Sequence, residues 1–344
     1  MIFDKIIGVF SNDMGIDLGT ANTLVLTRDE GIIINEPSVV AIKSDRHGRQ
    51  KILAVGREAK DMVGKTPGDI QAIRPMKDGV IADFDITEKM IRYFIEKAHK
   101  RKAFIRPRII ICVPYGLTQV ERKAVKESAL SAGAREVYLI EEPMAAAIGA
   151  GLPVKEPQGS LVVDIGGGTT EIGVISLGGL VVSKSIRIAG DKIDTSIADF
   201  IKKKYNLIIG DRVAEEIKIE IGTALPLDEP LKMSITGRDQ VGGLLNTITV
   251  SSEDIYEAMR EPLKLIAEAL KSVLEDTPPE LAGDIIDNGI VLTGGGALIR
   301  NLDRYLSDIV KIPVFIAQEP LLAVAKGTGK VLEEIEILQQ LEDD

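Results

Sequence analysis

The feature that most constrains the fold is a glycine turn that occurs twice. In VVDIGGGTTEIGVI (residues 162–175) three glycines separate two strand-like apolar runs, and Asp164 precedes them. A weaker copy, IDLGTANTLVL, occupies residues 16–26, and aligning Asp17 with Asp164 puts Gly19 on Gly166. Both copies predict a strand–turn–strand hairpin, one in each half of the chain. A third strand runs into glycines at residues 289–302, where a helix follows.

Glycines at these turns favour an anion site. Without a Cβ, the backbone N–H groups of a turn can converge on one ligand, and phosphate is the natural occupant. Ordinary hairpin turns are the alternative, but they need only one glycine apiece. The aspartates repel phosphate directly, so we expect a hard cation, Mg²⁺, between them and the phosphates. The two hairpins are therefore predicted to hold a Mg-polyphosphate from both sides.

The rest of the chain predicts an α/β fold. Strand-like runs alternate with helical patterns throughout. Residues 106–114 are typical of a buried strand, and the capping-box spacing of Thr118 and Glu121 follows, ahead of an amphipathic helix. The proline- and glycine-containing segment 151–160 indicates a crossover between two halves. Residues 35–76 and 190–250 are expected to be inserts on this frame, with a hairpin tip near 43–51.

Composition narrows the function classes. The chain of 344 residues has a formal net charge of −10, which argues against nucleic acid as a partner, because such binding needs a clustered basic surface. Cys112, the single cysteine, lies in an apolar run and is expected to be a buried core residue. No apolar run approaches the roughly 18 residues of a membrane-spanning helix. The apolar N-terminal segment also lacks the basic start and cleavage site of a signal peptide.

Two glycine patterns are set aside. AKGTGKV (325–331) is similar to the end of a Walker loop, but Val331 stands where Ser or Thr is needed and Val324 where the first glycine belongs. No glycine cluster has the spacing of a dinucleotide-binding fold, since Glu171 and Ile299 occupy the third glycine position.

Five segments together resemble the ATPase elements of the actin, sugar-kinase and heat-shock-chaperone superfamily, in the same order. They are DLGTANT, EEPMAAAIGAG, DIGGGTTE, AEEIK and TGGGALIRNL. Their sequences are most similar to those of the MreB family of bacterial actins. The resemblance covers nearly the whole chain. It implies an actin-like fold with two related domains around a nucleotide cleft, residues 1–150 and 151–330, each with one of the inserts. Residues 331–344 are expected to return to the first domain.

The resemblance also implies the site residues. The phosphate turns are then Gly19, Thr20, Ala21 and Asn22, and Gly166, Gly167, Gly168 and Thr169. Asp17 and Asp164 resemble the Mg²⁺-side carboxylates, acting through water. The adenosine side is assigned to Glu215, Glu216, Ile217 and Lys218, and to Gly294, Gly295, Gly296 and Ala297. Taken alone, AEEIKIEIG also fits a solvated amphipathic helix.

Hydrolysis of ATP needs a group that orients the attacking water. The family's candidates are Glu142 and Thr169. The sequence leaves open whether Glu142 or the adjacent Glu141 orients the water. Glu142 precedes Pro143 at a helix start, where a carboxylate is also a good cap. A small-molecule kinase, a chaperone-like ATPase and a non-hydrolysing ATP-binding scaffold are the alternative functions. A kinase needs a second pocket for its acceptor, and the inserts show no motif for one. A chaperone-like ATPase is expected to add a peptide-binding region beyond its ATPase, and the sequence shows none up to Asp344.

The resemblance implies a slow Mg-dependent ATPase that forms a homopolymer of paired protofilaments. It is expected on the cytoplasmic face of the cell membrane, with membrane proteins of the cell-wall elongation machinery as partners, maintaining rod shape. MIFDKIIGVF has the pattern of an in-plane amphipathic anchor, or alternatively of a first strand. HKRKAFIRPR (99–108) sets an apolar pair among basic residues, which fits an anionic lipid surface or a solvated loop. The predicted anchor residues are Ile2, Phe3, Ile6, Ile7, Phe10, Phe104 and Ile105.

Overall fold

The computed structural model describes residues 13–44, 50–99 and 106–333. The chain divides into two compact units, one formed by Met1–Pro153 with Leu322–Asp344 and the other by Val154–Leu321. The domain boundaries predicted from the sequence, after residues 150 and 330, stay a prediction. The predicted anchor residues Ile2, Phe3, Ile6, Ile7, Phe10, Phe104 and Ile105 lie outside the described residues.

The first unit is built on a five-stranded sheet with the order β10-β9-β1-β2-β3. Its strands are β1 (Met14–Leu18), β2 (Asn22–Thr27), β3 (Gly31–Pro37), β9 (Arg108–Val113) and β10 (Glu136–Glu141). β1 is antiparallel to β2 and parallel to β9. A smaller sheet has the order β5-β4-β6, and β7 and β8 form a hairpin. These strands are β4 (Val40–Ser44), β5 (Gln50–Val55), β6 (Ile70–Ile73), β7 (Met76–Lys77) and β8 (Val80–Ile81).

Helices cover the first sheet. They are α1 (Arg57–Met62), α2 (Phe84–His99), α3 (Gln119–Ala132), α4 (Glu142–Ala150) and, from the returning segment, α10 (Ala323–Glu333). The predicted capping box at the start of α3 is present: Thr118 Oγ1 accepts from Glu121 N at 3.2 Å, and Glu121 Oε2 accepts from Thr118 N at 2.8 Å. The buried side chains of β1, β9 and α2 form the core between the layers.

The second unit repeats this design. Its main sheet has the order β13-β12-β11-β17-β18, and β11 is antiparallel to β12 and parallel to β17. The strands are β11 (Ser160–Ile165), β12 (Thr170–Ser176), β13 (Gly179–Ile186), β17 (Ile290–Thr293) and β18 (Val314–Ile316). β1 and β11 therefore occupy the same central place in the two sheets, each followed by a glycine turn. The hairpin repeat seen in the sequence is thus a repeat of the whole sheet.

The insert of the second unit is a three-stranded sheet flanked by helices. Its strands, in the order β14-β15-β16, are β14 (Leu207–Ile208), β15 (Lys232–Asp239) and β16 (Leu245–Ser251). The helices of this unit are α5 (Gly190–Tyr205), α6 (Asp211–Ile221), α7 (Ser252–Asp276), α8 (Pro279–Asn288) and α9 (Leu302–Val310). Within the described ranges, no helix has the length and apolar character needed to cross a membrane.

α4 and α10 touch backbone to backbone inside the first unit. A Cβ on Gly149 would lie 1.7 Å from Ala323 O, and a Cβ on Gly327 would lie 1.8 Å from Ala145 O. No side chain fits at either position, so both must be glycine. The Walker-like AKGTGKV therefore belongs to a packed helix, and close helix contact explains Gly327.

Candidate functional site

The turn at residues 166–169 joins β11 to β12. Gly166 N donates to Thr169 O at 2.9 Å and closes the turn. The carbonyl groups of Gly166 and Gly167 accept from the first N–H groups of α5, Gly190 N at 3.1 Å and Asp191 N at 2.8 Å. Within the part of the chain that the structure describes, the N–H groups of Gly167, Gly168 and Thr169 donate to no protein acceptor. With its carbonyls engaged and its N–H groups available, the 166–169 turn suits an anion.

Asp164 lies near the end of β11, two residues before this turn. Its side chain is buried, and Thr293 Oγ1 donates to Asp164 Oδ1 at 2.6 Å. Burial raises the pKa of Asp164 to about 6, and the hydrogen bond from Thr293 offsets only part of that rise. Glu171 faces Asp164 across the hairpin register, is also buried, and accepts from Ser185 Oγ at 2.6 Å. The sequence motifs contain both Asp164 and Thr293, the first residue of TGGGALIRNL, but they do not predict the hydrogen bond between the two side chains.

The turn at residues 19–22 is held from outside as well. Ser38 Oγ donates to Gly19 O at 2.6 Å, and Ser38 N donates to Ala21 O at 2.9 Å. Thr20 Oγ1 accepts from Gly79 N at 3.2 Å, so this hydroxyl is tied to the β7–β8 hairpin. A Cβ on Gly19 would lie 2.7 Å from Asn22 O, which makes glycine necessary there. The sequence does not identify Ser38 as a residue that supports this turn, because Ser38 lies in none of the motifs.

Asp17 occupies in β1 the position that Asp164 has in β11. It is half-buried and pairs in register with Leu24 and Cys112. Among the described residues, no group of three or more His, Cys, Asp or Glu side chains is arranged to hold a metal ion. A cation at either turn would therefore depend on phosphate oxygens and water for most of its ligands, which is the usual situation for Mg²⁺.

Glu141 and Glu142 differ in their surroundings. Glu141 is the N-cap residue of α4 and makes no side-chain cap hydrogen bond, while Arg122 Nη2 donates to its Oε1 at 2.6 Å. Glu142 is the first residue of the helix and its side chain is buried. The carboxylate at the N-cap position, that of Glu141, therefore does not cap the helix. Arg122 pairs with Glu141, and Glu142, which is the buried member of the two, is retained as the candidate for orienting water.

The third glycine turn, residues 294–297, packs against the end of β11. A Cβ on Gly294 would lie 2.4 Å from Ile165 O, and a Cβ on Gly296 would lie 2.2 Å from Ile165 Cγ2. Ile165 immediately precedes the 166–169 turn. The glycines of the third turn therefore allow a close approach that fixes where the 166–169 turn begins.

Four of the residues assigned to the adenosine side, Glu215 to Lys218, lie on α6 and have different environments. Ile217 is fully buried in the core, and Glu216 pairs on the surface with Arg212 at 3.0 Å. Glu215 is half-buried. Lys218 Nζ lies 2.9 Å from Asp194 Oδ1 and donates to Gly190 O at 3.3 Å, next to the 166–169 turn. The structure thus places Lys218 beside the 166–169 turn, where it pairs with Asp194, a partner that the sequence did not indicate.

Two five-stranded sheets of matching order, each with a glycine-turn hairpin at its centre, place the chain among the actin-like proteins. The fold is shared with MreB5 of Spiroplasma citri bound to ADP, at a TM-score of 0.90 and 40% identity, over 97% of this chain and 99% of that one. It is also shared with MamK in its double helical filament, at a TM-score of 0.79 and 21% identity, over 94% and 99% of the two chains. The predicted actin-like fold is confirmed.

The family is also defined. The MreB/Mbl protein family model matches residues 11–340. The cell shape-determining protein MreB of Escherichia coli K12 is 57% identical over 336 residues, which cover 97% of this chain and 96% of that protein. The cell shape-determining protein Mbl of Bacillus subtilis 168 is 52% identical over 330 residues, 96% of this chain and 98% of that protein. The chain belongs to the MreB/Mbl family.

Proposed function

We propose that this protein is an ATP-dependent, filament-forming bacterial actin. In this proposal it assembles on the inner face of the cytoplasmic membrane and organises cell-wall elongation, which maintains rod shape. The observation that carries the nucleotide part is the 166–169 turn, whose carbonyl groups face α5 while its N–H groups are available. MreB5 of Spiroplasma citri has been solved with ADP and with AMPPNP, and the curated relatives are named for cell shape.

The residues present fit a magnesium nucleotide. The 19–22 and 166–169 turns would bind its phosphates through backbone N–H groups. Asp17 and Asp164 would hold Mg²⁺ through water, which is how this cation is commonly bound beside phosphates. Glu215, Lys218 and the 294–297 turn are assigned to the adenosine. We retain the prediction that both phosphate turns bind the same ATP.

In ATP hydrolysis, a water molecule attacks the γ-phosphate in line with the bond that breaks. The protein's part in this reaction is to place and orient that water. Glu142 and Thr169 are proposed for this role: Glu142 has a buried carboxylate at a helix start, and Thr169 lies at the end of the glycine turn. We expect turnover to be slow in the monomer and faster in the polymer, because closure of the site has to precede hydrolysis.

Self-association is proposed as a head-to-tail homopolymer of paired protofilaments. A heterologous contact that does not close on itself produces a filament, and MamK, which shares the fold, forms a double helical filament. The other proposed partners are the cytoplasmic membrane and membrane proteins of the elongation machinery. Nucleic acid is not proposed as a partner because the net charge is −10.

The proposal is tested by measuring ATP binding, phosphate release and light scattering of the full chain with Mg²⁺. Gly167→Asp places a carboxylate in the 166–169 turn, so it should abolish ATP binding and the scattering that depends on it. Gly68→Asp is the matched control, because a side chain there meets no atom within 4 Å and adds the same charge. A wild-type chain that binds no ATP, or binding that survives Gly167→Asp, would refute the assignment.

A further inference from the structure

Lys218 and Asp194 form an ion pair in the interior of the second unit. Their side chains are 15% and 13% exposed, and Lys218 Nζ lies 2.9 Å from Asp194 Oδ1 and 3.0 Å from Oδ2. The same ammonium group donates to Gly190 O at 3.3 Å. Since Gly190 and Asp194 lie on α5 and Lys218 lies on α6, one ammonium group binds the first turn of α5 at two points and joins it to α6.

The first turn of α5 also holds the 166–169 turn. Gly190 N donates to Gly166 O at 3.1 Å, and Asp191 N donates to Gly167 O at 2.8 Å. A Cβ on Gly190 would lie 3.3 Å from Gly166 O, 3.4 Å from Lys218 Nζ and 3.5 Å from Gly167 Cα. A methyl group at Gly190 would therefore contact both the ammonium group of Lys218 and the 166–169 turn.

These contacts form a continuous chain of hydrogen bonds. Asp194 fixes the ammonium group of Lys218, which holds the carbonyl of Gly190, while the N–H of Gly190 holds the carbonyl of Gly166. We propose that Asp194 is a positioning residue for the 166–169 turn and, through it, for the phosphates of the bound nucleotide. The inference rests on the proposed ATP-binding function of that turn and adds a residue outside the sequence motifs.

The physical reason is the orientation of the turn's peptide groups. N–H groups bind an anion well only when they are already directed at it, because reorienting them on binding costs free energy. Carbonyls that are held on one side of a turn keep the neighbouring N–H groups directed to the other side. Without the Asp194 carboxylate, a buried ammonium group loses its counter-charge, and the contact between α5 and α6 loosens where it supports the turn.

The test is calorimetric titration of the full chain with ATP, ADP and adenosine in the presence of Mg²⁺. For Asp194→Asn we expect ATP and ADP to bind about tenfold more weakly, the effect of one hydrogen bond to a charged group, and adenosine affinity to stay within about twofold. Adenosine lacks the phosphates that the turn binds. A residue with a merely structural role would lower the melting temperature without changing the ratio of ATP to adenosine affinity.

Asp254→Asn is the matched control. Asp254 is an acid of the same unit that pairs with Lys204 and accepts from Tyr205 Oη at 2.8 Å. Lys204 lies near the other end of α5, roughly 20 Å along the helix from Gly190. This variant should melt at a lower temperature than the wild type and bind ATP as the wild type does.

A second variant covers the case in which Asp194→Asn does not fold. Asp194→Glu keeps a carboxylate beside the buried ammonium group, so no uncompensated charge stays buried, but its longer side chain displaces that ammonium group from Gly190 O. It should fold, and it should still bind ATP more weakly than the wild type. The inference is overturned if ATP affinity in the variants equals that of Asp254→Asn, or if adenosine affinity falls in parallel with that of ATP. A wild-type chain that binds no ATP would instead overturn the proposed function.

Discussion

Asp164 is a carboxyl group whose folded environment favours the protonated form. Its pKa is raised by burial from 3.8 to about 6. Its contribution to stability is therefore fully present below about pH 4 and is lost as the pH rises through 6. Above that range the buried charge costs up to about 3 kcal/mol in the nucleotide-free protein. Asp164→Asn should remove this pH dependence. The free energy of unfolding of this variant, measured by urea denaturation, should therefore increase relative to that of the wild type as the pH rises from 4 to 7.

Thr293→Val is the complementary variant for that experiment. It removes the hydroxyl that donates to Asp164 at 2.6 Å and that lowers the pKa. The pKa of Asp164 in the folded protein should then be higher still, so the loss of stability in this variant should continue to a higher pH than in the wild type. A stability difference between Asp164→Asn and wild type that stays constant from pH 4 to 7 would show that Asp164 does not titrate in this range.

Glu142 and Glu141 can be separated by charge-neutral substitution. Glu142→Gln should leave ATP affinity nearly unchanged and lower turnover by about a hundredfold, the effect of losing a group that orients or deprotonates water. Glu141→Gln breaks a partly exposed ion pair with Arg122 and should change turnover by less than about twofold. Phosphate release per bound ATP is the measurement. Equal losses in both variants, or lost binding with unchanged turnover per bound ATP, would contradict the assignment to Glu142.

At the scale of elements, the contact between α4 and α10 is the least tolerant of change. Gly327→Ala places a methyl group 1.8 Å from Ala145 O, where only backbone movement can make room. We expect the first unit to lose about 3 kcal/mol of stability, the upper range for overpacking. Differential scanning calorimetry should show the transition of that unit at lower temperature.

Gly283→Ala is the control for that substitution. Gly283 lies in α8, and a side chain there meets no atom within 4 Å. This change should raise stability by roughly 0.5–1 kcal/mol, because alanine favours helix. If Gly327→Ala were equally harmless, the two helices would not be in backbone contact in solution.

Elements defined by local pattern were predictable from the sequence. The glycine hairpins, the Thr118 capping box and the alternation of strand and helix all depend on residues within a few positions of one another. The 294–297 glycines were also found, but their packing against Ile165 was not, because it joins distant strands. For the same reason the sequence did not identify Ser38 and Asp194, which support turns from positions without a motif. It also did not predict the hydrogen bond from Thr293 to Asp164, although Thr293 begins TGGGALIRNL.

At the scale of the whole molecule, membrane attachment should depend on polymerisation. A buried large apolar side chain contributes at most about 1.5–3 kcal/mol, less the cost of ordering the segment, so one subunit should bind weakly. A filament repeats the anchor, and avidity makes the attachment firm. Deleting residues 2–10, or Phe104→Ser with Ile105→Ser, should therefore reduce co-sedimentation of filaments with anionic liposomes.

Val120→Ser is the control for the apolar substitutions, since Val120 is 78% exposed on α3 and lies outside both proposed anchors. It should leave lipid binding unchanged. Filaments of both altered proteins that pellet with liposomes as well as the wild type would exclude these two segments as the anchor.

The return of the chain to the first unit has a consequence for synthesis. α10 packs against β1: a Cβ on Gly15 would lie 2.8 Å from Thr328 Cγ2, and Thr328 Oγ1 lies 2.7 Å from Cys112 Sγ on β9. On a ribosome adding about 5–20 residues per second, the N-terminal sheet emerges many seconds before the helix that covers it. The second unit is contiguous in sequence and has no such delay. The nascent N-terminal half therefore exposes part of its core until α10 has been made, and the unit translated first is the last to be completed.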